Sequence, residues 1–334
     1  MGKGKVKIIT VEPIMTDKEI SAKEGETFPE SHYKTILKEN VDVYYTDDKG
    51  TKHLLLKFRK NVIPDNIAAK AYNALEKHAQ KKNYNRGASA GKLNINKLPK
   101  HVGKITQKGS FRVFFKTHSG KKTNDNVGNM AQSNIAGYYD RPDRNLYNRS
   151  YTNARKTMKK NSKNVKTDKY GVPLCRTTEF TSTQVEKWNN AVPLIESADK
   201  MFKTLVPDRH AIQLKRASLT PDFQIGKTAY STITINYNWR TAAHKDKGDL
   251  EEGFGNLLVL EKAKSGHPDC KGYIGGYLGF PQYGVAVDVR HGDYLAMDVH
   301  KFHANTPIVG DGRLSVVCYL RKKMAQCAKG SSLN

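Results

Sequence analysis

The last third of the chain restricts the possible folds more than any other part. Six strand-like runs, at 230–237, 257–260, 273–278, 285–289, 294–299 and 314–320, follow one another there. Each has the length of a strand, Gly-rich segments separate them, and no helical period intervenes. Without alternation of strand and helix, a doubly wound parallel sheet is disfavoured. An antiparallel sandwich or barrel-like jelly roll is expected instead.

Upstream elements are fewer. Residues 42–60 read as a β-hairpin about an Asp-Asp-Lys-Gly turn. After Pro64, the apolar positions Ile67, Ala68, Ala71, Tyr72 and Leu75 fall at helical spacing, with Asp65 available as N-cap. Residues 110–117 read as a strand with Phe111, Val113 and Phe115 on one face. Val185, Trp188, Val192 and Ile195 predict a helix that runs through Pro193, continues with Ala198, Met201, Phe202 and Leu205, and ends before Pro207. The fold class is α+β and mainly β, with helices supporting a jelly-roll core and a basic N-terminal extension. We expect the extension at 1–84, the core domain at 85–325 and a tail at 326–334.

Charge narrows the partner. The 334 residues carry 57 Lys and Arg against 32 Asp and Glu, a formal net charge of +25. Such an excess attracts polyanions, nucleic acid first among them. Between Tyr147 and Tyr170 the chain has few large apolar residues and many cations, so it cannot build a core of its own. Within this insert at 149–169, Arg149, Arg155, Lys156, Lys159, Lys160 and Lys163 are candidate phosphate contacts, and the flanking tyrosines could stack on bases. The plainer reading is a solvated loop. No apolar run approaches 18 residues and the N-terminus has no apolar leader, so an intracellular protein with no membrane span is expected. Cys175, Cys270, Cys318 and Cys327 are expected as free thiols. Basic runs such as Arg321-Lys322-Lys323 make a nuclear address plausible.

After the strand-like run at 230–237 comes Arg240-Thr241-Ala242-Ala243-His244-Lys245-Asp246. In extended backbone, His244 and Asp246 project to one face, where an imidazole and a carboxylate can share a metal. A third ligand has to come from elsewhere, with His291, His300 and His303 as candidates. His303 is preferred because His303-Ala304-Asn305-Thr306-Pro307 reads as a turn that fixes the imidazole. Two His and one carboxylate on one face leave positions open, the arrangement of non-haem Fe(II) oxygenases. Arg313, ten residues beyond His303, offers a fork for bidentate holding of a dicarboxylate co-substrate. His267 with Cys270 has a zinc-like spacing but no second close pair and reads as a loop.

With these residues in place, the chain resembles the TET/JBP family of Fe(II)- and 2-oxoglutarate-dependent DNA base dioxygenases. The matching stretches are SNIAGYYDRP at 133–142, CRTTEFT at 175–181, VPLIESADKMFKTLVPDR at 192–209, TAYSTITINYNWRTAAHKDKGDLEEGFGNLLVL at 228–260, GGYLGFPQYGVAVDVRHGDYLAMDVHKFHANTP at 275–307 and RLSVVCYLRKKM at 313–324. The resemblance implies a double-stranded β-helix, with His244, Asp246 and His303 as iron ligands and Arg313 as the 2-oxoglutarate anchor. It further implies that Asn236, Asn238, Thr241 and the loop 249–254 line the co-substrate and base pocket. Decarboxylation of 2-oxoglutarate to succinate would drive hydroxylation of a pyrimidine 5-methyl group in DNA, with iterative oxidation as the extension known within the family. The base has to be flipped out of the duplex, at a cost of a few kcal/mol. The expected substrate is 5-methylcytosine, with thymine as the alternative, and Gln213 or Asn238 as side chains able to read either. The expected partner is double-stranded DNA, met by a monomer. A protein or N-alkylated-base hydroxylase and a non-catalytic nucleic-acid-binding module are the other readings.

Overall fold

The computed structural model describes residues 6–120, 122–142 and 166–328. The candidate phosphate contacts Arg149, Arg155, Lys156, Lys159, Lys160 and Lys163 lie outside the described residues.

Period-two alternation along the central strands creates the layers. In Thr232–Tyr237, the apolar Ile233 and Ile235 face one way while Thr234 and Asn236 face the other. Its antiparallel neighbour Arg313–Tyr319 repeats the pattern, with Leu314, Val316 and Cys318 on the apolar side and Arg313, Ser315, Val317 and Tyr319 opposite. The apolar side is covered by the helices Asp65–Ala79 and Val185–Leu205, which bring Tyr72, Leu75, Leu194, Ile195 and Phe202 into one core. Each of these large side chains stabilises the fold by roughly 1.5–3 kcal/mol through burial.

These strands belong to a nine-stranded sheet ordered Lys7–Val11, Val41–Thr46, Lys52–Arg59, Tyr294–Met297, Gly255–Glu261, Arg313–Tyr319, Thr232–Tyr237, Ser133–Tyr139 and Arg176–Thr177. A four-stranded sheet, ordered Ala304–Asn305, Leu278–Phe280, Val285–Val287 and Thr35–Leu37, packs on the face away from the helices. Leu257, Val259, Leu295 and Met297 of the large sheet meet Phe280, Val285 and Val287 of the small one in a second core. Where the small sheet does not cover the large one, a cleft remains. The result is a sheet-rich mixed α/β fold. Strands from residues 7–59 hydrogen-bond into both sheets, so this segment is woven into the architecture.

The hairpin expected at 42–60 forms as Val41–Thr46 and Lys52–Arg59. Elsewhere the structure departs from the sequence reading. Asp65 is the first helical residue and Pro64 the N-cap, so the aspartate favours the helix through its charge in the first turn. The expected strand at 273–278 breaks into Tyr273–Gly275 and Leu278–Phe280, because Gly275 and Gly276 adopt φ of 73° and 70°. A further helix, Pro207–Ala217, starts at the proline that was read only as a stop. Cys175 and Cys327 form a disulfide with their Cα atoms 5.8 Å apart, which corrects the expectation of four free thiols. The pairing is invisible in the sequence because 152 residues separate the two. Among the described residues, no helix is long and apolar enough to cross a membrane.

Candidate active site

A short ladder beyond the central strands brings the metal-ligand candidates together. His244 donates its backbone N–H to the carbonyl of His303 at 3.1 Å, and His303 returns the bond at 3.0 Å. The ladder continues on both sides, through Asp246 N–H to Val299 O at 3.0 Å and Asn305 N–H to Thr241 O at 3.0 Å. The segment after His303 is therefore the strand Ala304–Asn305 rather than a turn, and it fixes the histidine through the ladder.

The two imidazole rings lie 4.3 Å apart. Each Nε2 stands 3.6 Å from an Asp246 oxygen, and the three ligand atoms all lie within 4.8 Å of one another. Each Nδ1 faces a backbone carbonyl, Ala242 O at 2.8 Å and Lys301 O at 3.0 Å. A carbonyl can only accept, so both Nδ1 atoms carry the proton and both Nε2 lone pairs point at the shared position. Burial, with the neighbouring His303, pushes the His244 pKa down to about 4, so its imidazole is neutral and ready to ligate at physiological pH. This is the only such cluster among the described residues. His300 instead pairs with Asp298 at 3.4 Å, and His291 accepts from the Glu261 amide at 2.9 Å. His267 faces Asn73 and Cys270 faces the Asp311 carbonyl, as expected of a loop.

The triad opens into a cleft of about 1190 Å³ that Asn236, Thr241 and Arg313 also line. Arg313 is 1% exposed, and its Nε has no hydrogen-bond partner. No carboxylate of the described residues comes within 4.0 Å of its guanidinium. The Oδ1 of Asn236 is likewise buried without a partner. Buried polar atoms are seldom left unpaired, so these two fit a bound polar group. Gly276 permits the arrangement, since a Cβ there would stand 2.9 Å from Arg313 Nε. Two imidazoles and a carboxylate suit Fe(II), and a buried guanidinium without a carboxylate partner suits the far carboxylate of 2-oxoglutarate.

Two residues expected in this pocket are elsewhere. Asn238 lies outside the cleft, with its Oδ1 accepting from the Arg313 amide at 2.8 Å and its Nδ2 bonded to Asp311. It positions the strand that carries Arg313. Gln213 spans Ala229 O at 2.9 Å and the Phe254 amide at 3.2 Å, a brace that leaves no group for a base. Other cleft residues escaped the sequence reading, notably Arg86, Arg141, Arg176 and Arg321. Three of these guanidinium groups gather within 6.0 Å of the Tyr139 ring. Arg321, read before as part of a basic address signal, is bound to Asp140 at 2.7 Å. Beside it, burial and Asp246 push the Asp249 carboxyl well above the usual carboxylate range. No spacing rule links these positions, since they come from five different segments.

Residues 167–322 match the family Tet_JBP, described as the oxygenase domain of the 2OGFeDO superfamily. Thymine dioxygenase JBP1-B of Trypanosoma cruzi is 34% identical over 161 residues, covering 46% of this chain and 18% of the relative. Thymine dioxygenase JBP1 of Trypanosoma brucei brucei is 32% identical over 168 residues, 48% of this chain and 19% of the relative. The bifunctional helicase and thymine dioxygenase JBP2 of Leishmania infantum is 34% identical over 151 residues, 44% of this chain and 13% of the relative. The chain thus spans less than a fifth of these relatives' length. A solved structure, NgTET1 in complex with 5mC DNA, aligns over 98% of this chain and 85% of its own at 13% identity and a TM-score of 0.49, too distant a likeness to build on. The segment that carries His244, Asp246, His303 and Arg313 is thus the segment that matches the Tet_JBP oxygenase domain of the 2OGFeDO superfamily, a superfamily that uses Fe(II) and 2-oxoglutarate.

Proposed function

We propose that this protein oxidises the 5-methyl group of a pyrimidine in DNA, with Fe(II), 2-oxoglutarate and oxygen. The observation that carries this reading is the placement of an unpaired, buried guanidinium in the same cleft as a His-Asp-His cluster. His244, Asp246 and His303 would hold the metal, and Arg313 would grip the distal carboxylate of the co-substrate. Iron and 2-oxoglutarate, when bound, supply the oxidising chemistry that hydroxylates a methyl C–H. The chain's own share is positional. The ladder between His244 and His303 sets the ligand separation, the two backbone carbonyls set the tautomers, and the apolar wall of Leu257, Leu278 and Met297 excludes water. We read the two facing sheets as the halves of a double-stranded β-helix, with 85–325 as the catalytic region.

Access to a methyl group in stacked DNA requires base flipping, and the arginine-rich rim around Tyr139 supports a strand of phosphates at the cleft mouth. A monomer that works on duplex DNA in the nucleus fits this reading. Of the two bases, thymine is supported by the names of the curated relatives. 5-Methylcytosine, preferred from the sequence, remains the second reading, because the carboxyl of Asp249, if protonated, can donate to one base and accept from the other when ionised. Purified protein should be incubated with Fe(II), 2-oxoglutarate and duplexes that carry thymine alone or 5-methylcytosine as well. Nucleoside mass spectrometry should show a hydroxymethyl base, and His244→Ala should remove it. Turnover of N-alkylated bases or peptides without product from either duplex would overturn the reading.

A further inference from the structure

Outside the matched oxygenase segment, residues 81–124 hold twelve Lys and Arg and no Asp or Glu. Part of this stretch folds into a separate three-stranded antiparallel sheet, Ile105–Lys108, Val113–Lys116 and Lys122–Val127. Val113 and Phe115 are buried beneath it, so the alternation turns Arg112 and Lys116 outward. The edge strand Ile105–Lys108 is exposed at every position. Lys97, Lys100, Lys104, Lys108, Arg112 and Lys116 are all exposed, and no carboxylate of the described residues pairs with any of them. Among the described residues of 81–124, Lys92 is the cation that does form an ion pair, with Glu26 at 2.6 Å. The sheet is also joined to the cleft, because His101, Arg112, Asn126 and Val127 form part of its wall.

We infer that this small sheet is a phosphate-binding shelf that holds the DNA strand beside the cleft mouth. The inference rests on the proposed DNA substrate and names a surface for it. Six exposed cations with no carboxylate partner create a field that draws a polyanion, and a regularly charged polymer satisfies all of them together. Lys104 and Lys108 are about 13 Å apart along an extended strand, a span of about four nucleotides at 3.4 Å of duplex rise each. Continuity with the cleft wall then sets which stretch of the strand lies over the triad. Lysines on an edge strand also discourage strand-to-strand aggregation, and this plainer role predicts a different outcome.

The test is the salt dependence of binding to a short unmethylated duplex, measured by fluorescence anisotropy between about 50 and 200 mM salt. The full chain carrying K100Q, K104Q, K108Q and K116Q is compared with one carrying K200Q, K203Q, K215Q and K227Q. The second set removes the same charge from exposed positions on and beside the helical layer, across the large sheet from the cleft. Each phosphate contact contributes about 0.9 to the slope of log K against log salt. The shelf variant should lose about 3.6 if all four contact phosphate, and the control variant much less. Anaerobic Fe(II) binding and the thermal midpoint, both unchanged, would show the shelf variant to be folded. Equal slopes for the two variants would overturn the shelf. So would a shelf variant that keeps the parent slope while it self-associates, or one that loses affinity for anionic phosphatidylserine vesicles but not for DNA. Failure to find any oxidised base would remove the proposed reaction and leave this result intact, because no turnover enters the measurement.

Discussion

Replacing Arg313 by methionine should destroy the use of 2-oxoglutarate and, in the ligand-free protein, raise stability. The side chain is 1% exposed, its Nε is unpartnered, and burial holds its pKa below the usual guanidinium range. Its main counterweight is the Tyr273 ring, whose centroid lies 5.9 Å from Cζ. A desolvated cation over a ring at that distance stabilises by about 2 kcal/mol. An ion held in a protein interior costs several kcal/mol even after relaxation. The balance predicts a gain of about 1–4 kcal/mol for an apolar side chain of similar length, the range seen when buried ionic groups give way to well-packed apolar ones. The ligand-bound state should behave in the opposite way. At a concentration of 100 times its dissociation constant, 2-oxoglutarate should stabilise the parent by about 2.7 kcal/mol and the variant not at all. Urea unfolding with and without 2-oxoglutarate reads both effects. A variant that loses about 3–5 kcal/mol and still responds to 2-oxoglutarate would refute the reasoning, because Arg313 would then be a structural partner and not an anion anchor.

Two further outcomes follow from the same geometry. Asp246→Ala removes the one carboxylate that faces both imidazoles, so anaerobic Fe(II) titration should show affinity reduced by more than the roughly 10–100-fold typical of outer-sphere changes; unchanged affinity would exclude Asp246 as a ligand. Asn238 holds φ at 42° and braces the Arg313 amide from outside the cleft. Asn238→Ala should therefore destabilise by about 1–2 kcal/mol, and Asn238→Gly, which keeps the backbone angle, should recover part of that loss; an Asn238→Ala protein as stable as the parent in urea would contradict the brace.

The amino-acid sequence alone made legible the sheet-rich character of the last third and the placement of His244 and Asp246 on one extended segment. These readings succeed because they use local rules. Alternation of period two is set by the pleat of each strand, and the pair His-x-Asp lies within one extended segment. The family resemblance implied a pocket position for Asn238, which lies two residues beyond Asn236 in sequence but turns away at a positive φ. Gln213, by its side-chain chemistry able to read a base or to serve as a structural hydrogen-bond residue, takes the structural role, because a helix that starts at Pro207 directs it into a backbone brace. The tertiary structure decided what depends on distant segments meeting. His244 and His303 are 59 residues apart and face one position only through a backbone ladder. Arg313 has a buried Nε without a partner and, among the described residues, no carboxylate within 4.0 Å, and no spacing records such a lack. The basic sheet at 105–127 reads along the chain as a few scattered lysines, and only folding sets it against the cleft wall. Convergence of this kind is a property of long-range packing, where each contact depends on all the others, and so it cannot be read from neighbours in sequence.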